Sequence, residues 1–271
     1  MIFDTHTHYD DEAYDNDREE LIASLPENGV GLICNIGASM QGSRDSISLS
    51  GRFPYVYAAV GVHPDEVAEL DESAFAELKA LAGHEKAVAI GEIGLDYHGY
   101  DIYDDKPDKE TQQYWFKRQL ELAIELDMPV VIHSRNAAAD TLEMMVWAHE
   151  NGLKCADIHC YSYSKEQAMQ YLDMGFYLGI GGVLTYEGQK KLTKTVETMP
   201  VERILLETDC PYLTPAPVRK TIEKSARNSS VYLTYVRDRI AELKGVAPDV
   251  VERVTYENAC RFYGIDKTAA V

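Results

Sequence analysis

Short apolar or β-branched runs recur along the whole chain, separated by stretches with helical periodicity. Eight of these runs have the length and composition of buried strands: Met1–Asp4, Val30–Ile36, Tyr55–Gly61, Ala87–Ile93, Pro129–His133, Ala156–Cys160, Phe176–Ile180 and Arg203–Thr208. Strands that alternate with helices pair in parallel, so the pattern predicts an α/β fold. Eight such units favour a closed (β/α)8 TIM-type barrel over the alternative, an open doubly wound sheet.

The clearest helical segment is predicted over Lys109–Leu126. Its apolar stripe recurs at spacings of about three and four and consists of Trp115, Phe116, Gln119, Leu120, Ala123 and Ile124. Two more helical segments, Asn228–Leu243 and Pro248–Tyr263, would complete the outer ring. Because no linker or repeat divides the chain, we expect one domain over residues 1–271, a length that suits a barrel of roughly 250 residues.

The composition of the chain limits how it can bind nucleic acid. The chain has 45 Asp and Glu but only 26 Lys and Arg, which gives a formal net charge of −19. This charge disfavours broad electrostatic capture of nucleic acid. The beginning of the chain lacks the basic and apolar regions of a signal peptide, and no apolar run is long enough to cross a membrane. We therefore expect a soluble, cytoplasmic, monomeric protein without a membrane partner.

Five cysteines are scattered along the chain without a CxxC pair. Neither a disulfide framework nor a thiolate zinc site is indicated. Cys160 and Cys210 follow His159 and Asp209, two candidate metal ligands described below. Because side chains alternate along a strand, we expect both cysteines to point away from the metals and to be packed thiols.

A chelating pair follows the first predicted strand in Asp4-Thr5-His6-Thr7-His8. On an extended segment, residues two apart point the same way, so the imidazoles of His6 and His8 can reach one ion.

Four further metal-binding side chains close other predicted strands: Glu92 the fourth, His133 the fifth, His159 the sixth and Asp209 the eighth. In a barrel, the C-terminal strand ends converge on the face where catalytic groups gather. The pattern therefore predicts one cluster of four imidazoles and two carboxylates.

The residue types in this cluster indicate a hydrolytic metal centre. Imidazole with carboxylate suits ions such as Zn²⁺ or Mn²⁺ better than an oxygen-only Ca²⁺ cage. Six ligands exceed the three usual for one catalytic zinc, so we predict two divalent ions (Mg²⁺, Mn²⁺ or Zn²⁺) bridged by Glu92. The chemistry is most naturally phosphodiester hydrolysis, with Asp209 both ligating and accepting the proton of the attacking water; the alternative for Asp209 is ligation only.

Three more residues are candidates near the mouth. His63 follows the third strand and is expected to face a phosphate as a donor, although its place before Pro64 equally suits a turn-stabilising role. Arg135 would grip a phosphate with its planar guanidinium or, equally well, pair with a carboxylate. Asp96 is expected to orient a ligand or loop.

Taken in order, the motifs DTHTHYD, GVHP, GEIGLDY, IHSR, IHCYS and LLETDCPYLTP resemble those of the TatD family of metal-dependent deoxyribonucleases, within the amidohydrolase-like barrels. The resemblance spans nearly the whole chain and implies a TIM-type barrel, a divalent-metal centre and 3′-to-5′ exonuclease-type hydrolysis of DNA. By that likeness, His6, His8, Glu92 and Asp209 hold one metal, and Glu92, His133 and His159 hold the other.

The chain departs from the family pattern near the expected barrel mouth. After LTPAP the family continues with an Arg-Gly stretch and Asn-Glu-Pro, whereas this chain has VRKTIEKSARNSSVYL, in which Arg227 and Asn228 are the remnant. The acidic segment Tyr97–Asp108 is expected to be a solvated loop, with a lid as the alternative. These departures keep a second function open, hydrolysis of an ester or amide such as an aminoacyl-tRNA or a small metabolite. A third hypothesis, a non-catalytic binding barrel, has less support because a structural metal site needs no bridging acid.

Overall fold

The structure is a computed structural model and describes residues 1–99, 106–221 and 227–267. Eight parallel strands follow one another around the molecule: β1 Ile2–Thr7, β2 Val30–Ile36, β3 Val56–Val60, β4 Ala87–Asp96, β5 Val130–Arg135, β6 Ala156–Ile158, β7 Tyr177–Ile180 and β8 Ile204–Leu206. Each strand pairs with the next along the chain. This order requires the chain to cross over in the same sense after every strand, which is the connectivity of a (β/α)8 barrel.

The first and last strands meet just beyond the end of β8. The Asp209 N–H donates to the His6 carbonyl at 3.0 Å, and the His8 N–H donates to the Cys210 carbonyl at 2.9 Å. With these bonds the sheet forms a nearly closed barrel, which confirms the predicted fold class.

Helices alternate with the strands, and within the described ranges they are α1 Arg18–Ser24, α2 Met40–Ser50, α3 Glu72–Ala82, α4 Lys109–Leu126, α5 Ala138–Glu150, α6 Lys165–Asp173, α7 Lys190–Thr198, α8 Ala216–Thr221, α9 Leu233–Lys244 and α10 Pro248–Tyr263. Helix α4 has the predicted bounds because Asp108 caps it, accepting the Thr111 N–H at 2.7 Å, and left-handed Asp127 ends it. The predicted segment Asn228–Leu243 begins later, as a 3₁₀ turn over Ser230–Tyr232 followed by α9.

The strands are covered on both faces, as expected of a parallel sheet. All residues of β1 and β2 are buried. Phe116 and Leu120 of α4, and Val236 and Ile240 of α9, are fully buried in the layer between helices and sheet. The helices thus fix the strands, and the strand ends in turn fix the side chains at the mouth.

Strand ends differ from the predicted ones in a way that matters for the site. Strand β1 continues to Thr7 and β4 to Asp96, whereas β6 stops at Ile158 and β8 at Leu206. Cys160 and Asp209 have φ values of 46° and 56°, which are incompatible with strand continuation. His159 and Asp209 consequently lie beyond the ends of β6 and β8.

Two sequence expectations fall partly outside the described residues. The described residues do not include residues 100–105, which belong to the acidic segment Tyr97–Asp108. They also do not include residues 222–226, which belong to the stretch that departs from the family pattern. Over the rest of the chain, no helix combines the length and apolar character needed to cross a bilayer.

Candidate metal centre

The structure brings the six predicted ligand residues together at the C-terminal mouth of the barrel. His6 lies in β1, Glu92 in β4 and His133 in β5, while His8, His159 and Asp209 follow β1, β6 and β8. Five of them line a cavity of about 330 Å³ together with His63 and Tyr212, and His6 is fully buried beneath it. The volume lies at the small end of the range for ligand pockets, about 300–1,000 Å³.

Four of these side chains aim their polar atoms at one point. The Nε2 atoms of His6 and His8 are 3.1 Å apart. Glu92 Oε2 lies 3.5 Å from His6 Nε2 and 3.6 Å from His8 Nε2, and Asp209 Oδ1 lies 3.7 Å and 3.4 Å from the same atoms. Ligands about 2.1 Å from a tetrahedral ion are separated by about 3.4 Å, so this spacing fits one bound cation.

The protonation of His8 also suits a metal ligand. Its Nδ1 lies 2.9 Å from the Ile36 carbonyl oxygen, which can only accept, so Nδ1 carries the proton. The lone pair of neutral His8 is therefore on Nε2, facing Glu92 and Asp209. Beside it, His6 Nδ1 is buried with no hydrogen-bond partner among the described residues. With His8 neutral, its Nε2 and the carboxylate oxygens of Glu92 and Asp209 are three acceptors that converge on one point, a set that a cation satisfies.

A second group forms around the other oxygen of Glu92. Glu92 Oε1 lies 3.0 Å from His133 Nδ1 and 3.3 Å from His159 Nε2. The carboxylate thus presents one oxygen to each group, the arrangement of a bridging ligand. His133 Nε2 meets Asp96 Oδ2 at 3.0 Å, so Asp96 lies behind a candidate ligand, where it could orient the ring.

Electrostatics in the mouth favour bound positive charge. Burial raises the pKa of Glu92, but the neighbouring His159 and His133 imidazoles hold it well below its usual range. Burial lowers the pKa of His159, while the Glu207 and Glu92 carboxylates raise it well above its usual value. Because Glu92 stays ionised at neutral pH and stabilises cations beside it, the donor set fits divalent metals.

His63 and Arg135, the predicted substrate contacts, differ in their placement. The His63 ring lies 4.2 Å from that of His133 at the cavity wall, and its Nδ1 accepts the Asp65 N–H at 3.2 Å. Burial, reinforced by His133, lowers the pKa of His63 to about 3, leaving a neutral ring with its proton on Nε2. Arg135 is exposed at the end of β5 and does not line the cavity.

Glu207 is a site residue that the sequence reasoning missed. It is fully buried, its Oε2 lies 3.3 Å from His159 Nδ1, and its Oε1 accepts the Cys160 N–H at 2.6 Å. The signal was present, because Glu207 follows an apolar run directly, as Glu92 does. Asp209, two residues later in the same motif, was chosen as the candidate ligand in place of Glu207.

The rim of the cavity is acidic. Asp10, Asp11, Asp65 and Glu66 contribute to it, and among the described lining residues there is neither a lysine nor an arginine. Lys106 lies nearby, 2.8 Å from both Asp65 and Asp96, and ties these carboxylates together. Positive charge for an anionic substrate would therefore come from the ligand cluster.

Comparison with known proteins gives a consistent result. The model of the TatD related DNase family matches residues 3–264. The chain is 37% identical over 268 residues to the uncharacterised metal-dependent hydrolase YabD of Bacillus subtilis, covering 98% of this chain and 100% of that protein. It is 32% identical over 264 residues to the 3′-5′ ssDNA/RNA exonuclease TatD of Cronobacter sakazakii, covering 97% of both. The crystal structure of the TatD homologue YJJV from Escherichia coli K12 superposes with a TM-score of 0.88 at 26% identity, covering 98% of each chain.

Proposed function

The chain belongs to the TatD related DNase family of metal-dependent hydrolases, as its motifs predicted, and from this membership and the mouth geometry we propose that it removes nucleotides from the 3′ end of single-stranded DNA. The observation that carries the proposal is Glu92, whose two oxygens face two separate groups of ligands. Bridged pairs of ions are typical of phosphodiester hydrolysis.

We assign one ion to His6, His8, Glu92 and Asp209, and the other to Glu92, His133 and His159. When bound, two divalent ions (Mg²⁺, Mn²⁺ or Zn²⁺) supply Lewis-acid charge at a phosphate and make a water molecule more acidic.

Asp209 is the proton acceptor in this proposal. Its side chain is 18% exposed, and Oδ1 faces His6 and His8, so Oδ2 remains to accept a proton from water. Burial raises the pKa of Asp209, but the His8 hydrogen bond keeps it below its usual value. The carboxylate is therefore ionised and ready to accept over the whole neutral range. His63, neutral with its proton on Nε2, is placed to donate a hydrogen bond to a phosphate oxygen.

The cavity favours a strand end over duplex DNA. It has room for roughly one nucleotide, and the carboxylates on its rim would repel the additional phosphates that a second strand brings. The name of the Cronobacter relative, a single-strand exonuclease, supports the same substrate class.

The same rim supports a second candidate. Asp10, Asp11, Asp65 and Glu66 would attract a cationic group, such as the amino group of an aminoacyl ester. In that case the ligand cluster would hydrolyse an ester or amide and spare DNA.

The test uses single-stranded DNA labelled at its 5′ end. Stepwise shortening by the metal-loaded wild type, abolished by chelation and by Glu92→Gln, is the expected result. Glu187→Gln is the matched control, because Glu187 is 95% exposed and lies outside the cavity. Intact DNA with metal bound would refute the proposal and favour the ester or amide candidate.

A further inference from the structure

Tyr212 places an exposed aromatic ring at the mouth of the cavity. At 54%, it is the most exposed large apolar side chain among the described residues. The ring lines the cavity, and its centre lies 6.5 Å from the His8 ring at an angle of 63°. An apolar face is thus open to solvent directly beside the ligand cluster.

This ring is held firmly although it is exposed. The Tyr212 hydroxyl donates to Asp11 Oδ2 at 2.8 Å, and its backbone N–H donates to the Asp209 carbonyl at 2.8 Å. Its own carbonyl accepts the Asn228 side-chain amide at 2.8 Å, and Asn228 is completely buried. A ring fixed at both its backbone and its hydroxyl loses little conformational entropy when a ligand packs on it.

The charges around the ring select what can pack there. The carboxylates near the ring, Asp11 at its hydroxyl and Asp10 beside it, disfavour a phosphate in this part of the cavity. A nucleobase is uncharged, has a π face that stacks on tyrosine, and offers N–H groups to carboxylates. With the scissile phosphate at the ligand cluster, the base attached to it is the part of a nucleotide that this wall accepts.

We propose that Tyr212 is a stacking platform for the base of the 3′-terminal nucleotide, and so determines specificity for nucleotides with an intact base. The inference rests on the proposed nuclease function and assigns a part of the substrate to a named wall of the cavity. Stacking of one base on one aromatic ring corresponds to about 5- to 150-fold in binding.

The test combines removal of the ring with removal of the base. Release of the first nucleotide is measured with two single-stranded oligonucleotides that differ only in a normal or an abasic 3′-terminal residue. For the wild type, kcat/KM should fall about 5- to 150-fold on the abasic end. Tyr212→Leu should lose a similar factor on the normal end, and loss of the base should then have little further effect.

Two more variants separate stacking from folding. Tyr212→Phe keeps the ring without the hydroxyl and should retain most of the base dependence. Tyr235→Leu removes another exposed tyrosine, 43% exposed on α9, and should behave as the wild type. The platform would be overturned if loss of the base lowered kcat/KM of Tyr212→Leu by the same factor as in the wild type. It would also be overturned if Tyr212→Leu were as active as Tyr235→Leu. Either outcome would leave the nuclease function intact. A metal-loaded wild type that leaves both oligonucleotides whole would overturn the nuclease function and the platform together.

Discussion

Replacing Glu207 by glutamine should weaken metal binding although Glu207 is not among the proposed ligands. The carboxylate accepts the Cys160 N–H at 2.6 Å and lies 3.3 Å from His159 Nδ1. When His159 is neutral, as a metal ligand must be, Glu207 therefore holds the ring proton on Nδ1 and leaves the lone pair on Nε2, which lies 3.3 Å from Glu92 Oε1. In Glu207→Gln, the amide oxygen can still accept the Cys160 N–H, but the amide NH₂ then faces Nδ1 and shifts the proton to Nε2.

The expected magnitude is a loss of about 10- to 100-fold in metal affinity, the range found for carboxylates that orient a histidine ligand. Affinity and stoichiometry are measured by competition with a chromophoric chelator, and activity is followed as the metal concentration rises. Activity of Glu207→Gln should recover at high metal, while the exposed control Glu187→Gln should match the wild type throughout. Unchanged affinity would refute the orienting role. A loss of one bound ion per chain would instead make Glu207 a direct ligand, as its position near His6 and His159 also allows.

Three other effects should be measurable in the same protein. A Cβ on Gly179 would lie 2.1 Å from Glu207 Oε2, so Gly179→Ala should lower the free energy of unfolding by about 1–3 kcal/mol in urea titrations; an unchanged midpoint and slope would contradict this. Asn228→Ala removes the amide that donates to the Thr208 carbonyl at 3.0 Å and to the Tyr212 carbonyl at 2.8 Å. The free energy of unfolding should fall by about 1–3 kcal/mol for each carbonyl that stays buried. Asn228→Asp, which also lacks the amide, should show the same loss in the same titration. Metal loading near neutral pH should release protons, because a metal binds only the deprotonated ring of His8. Burial lowers the pKa of His8, but the Asp209 carboxylate raises it to about 9 without metal. Calorimetric heats of metal binding that do not vary with the ionisation enthalpy of the buffer would exclude this.

The sequence predicted much of the fold because each barrel unit repeats a local pattern. Helix α4 has the expected bounds, since its cap and stop residues, Asp108 and Asp127, act within a few residues of the helix. The strand ends were less accurate. Where β6 and β8 stop depends on side chains from other strands, and periodicity along one strand contains no information about them.

The site shows the same division between local and distant contacts. The six ligand residues could be proposed because acids and histidines that end apolar runs are conspicuous, and the topology of the barrel gathers strand ends. Glu207 and Tyr212 were missed because their proposed roles depend on contacts across the mouth, with His159 in one case and Asp11 and Asn228 in the other. Whether Arg135 contacts substrate stays a prediction, and its exposed position gives it no support.

Two buried carboxylates connect the end of the barrel with the geometry of the site. Asp4 accepts the Thr208 N–H at 3.0 Å, and Glu207 accepts the Cys160 N–H at 2.6 Å, so these N–H groups bond to side chains. The chain then leaves the strand direction, and a proposed ligand lies at each of these points, Asp209 after Thr208 and His159 before Cys160. Burial raises the pKa of Asp4 to about 7 despite its hydrogen bonds, which shows that the barrel accommodates this carboxylate at an energetic cost. The carboxylates inside the barrel therefore act on the site by setting where the strands end, and through this the directions from which the proposed ligands enter the mouth.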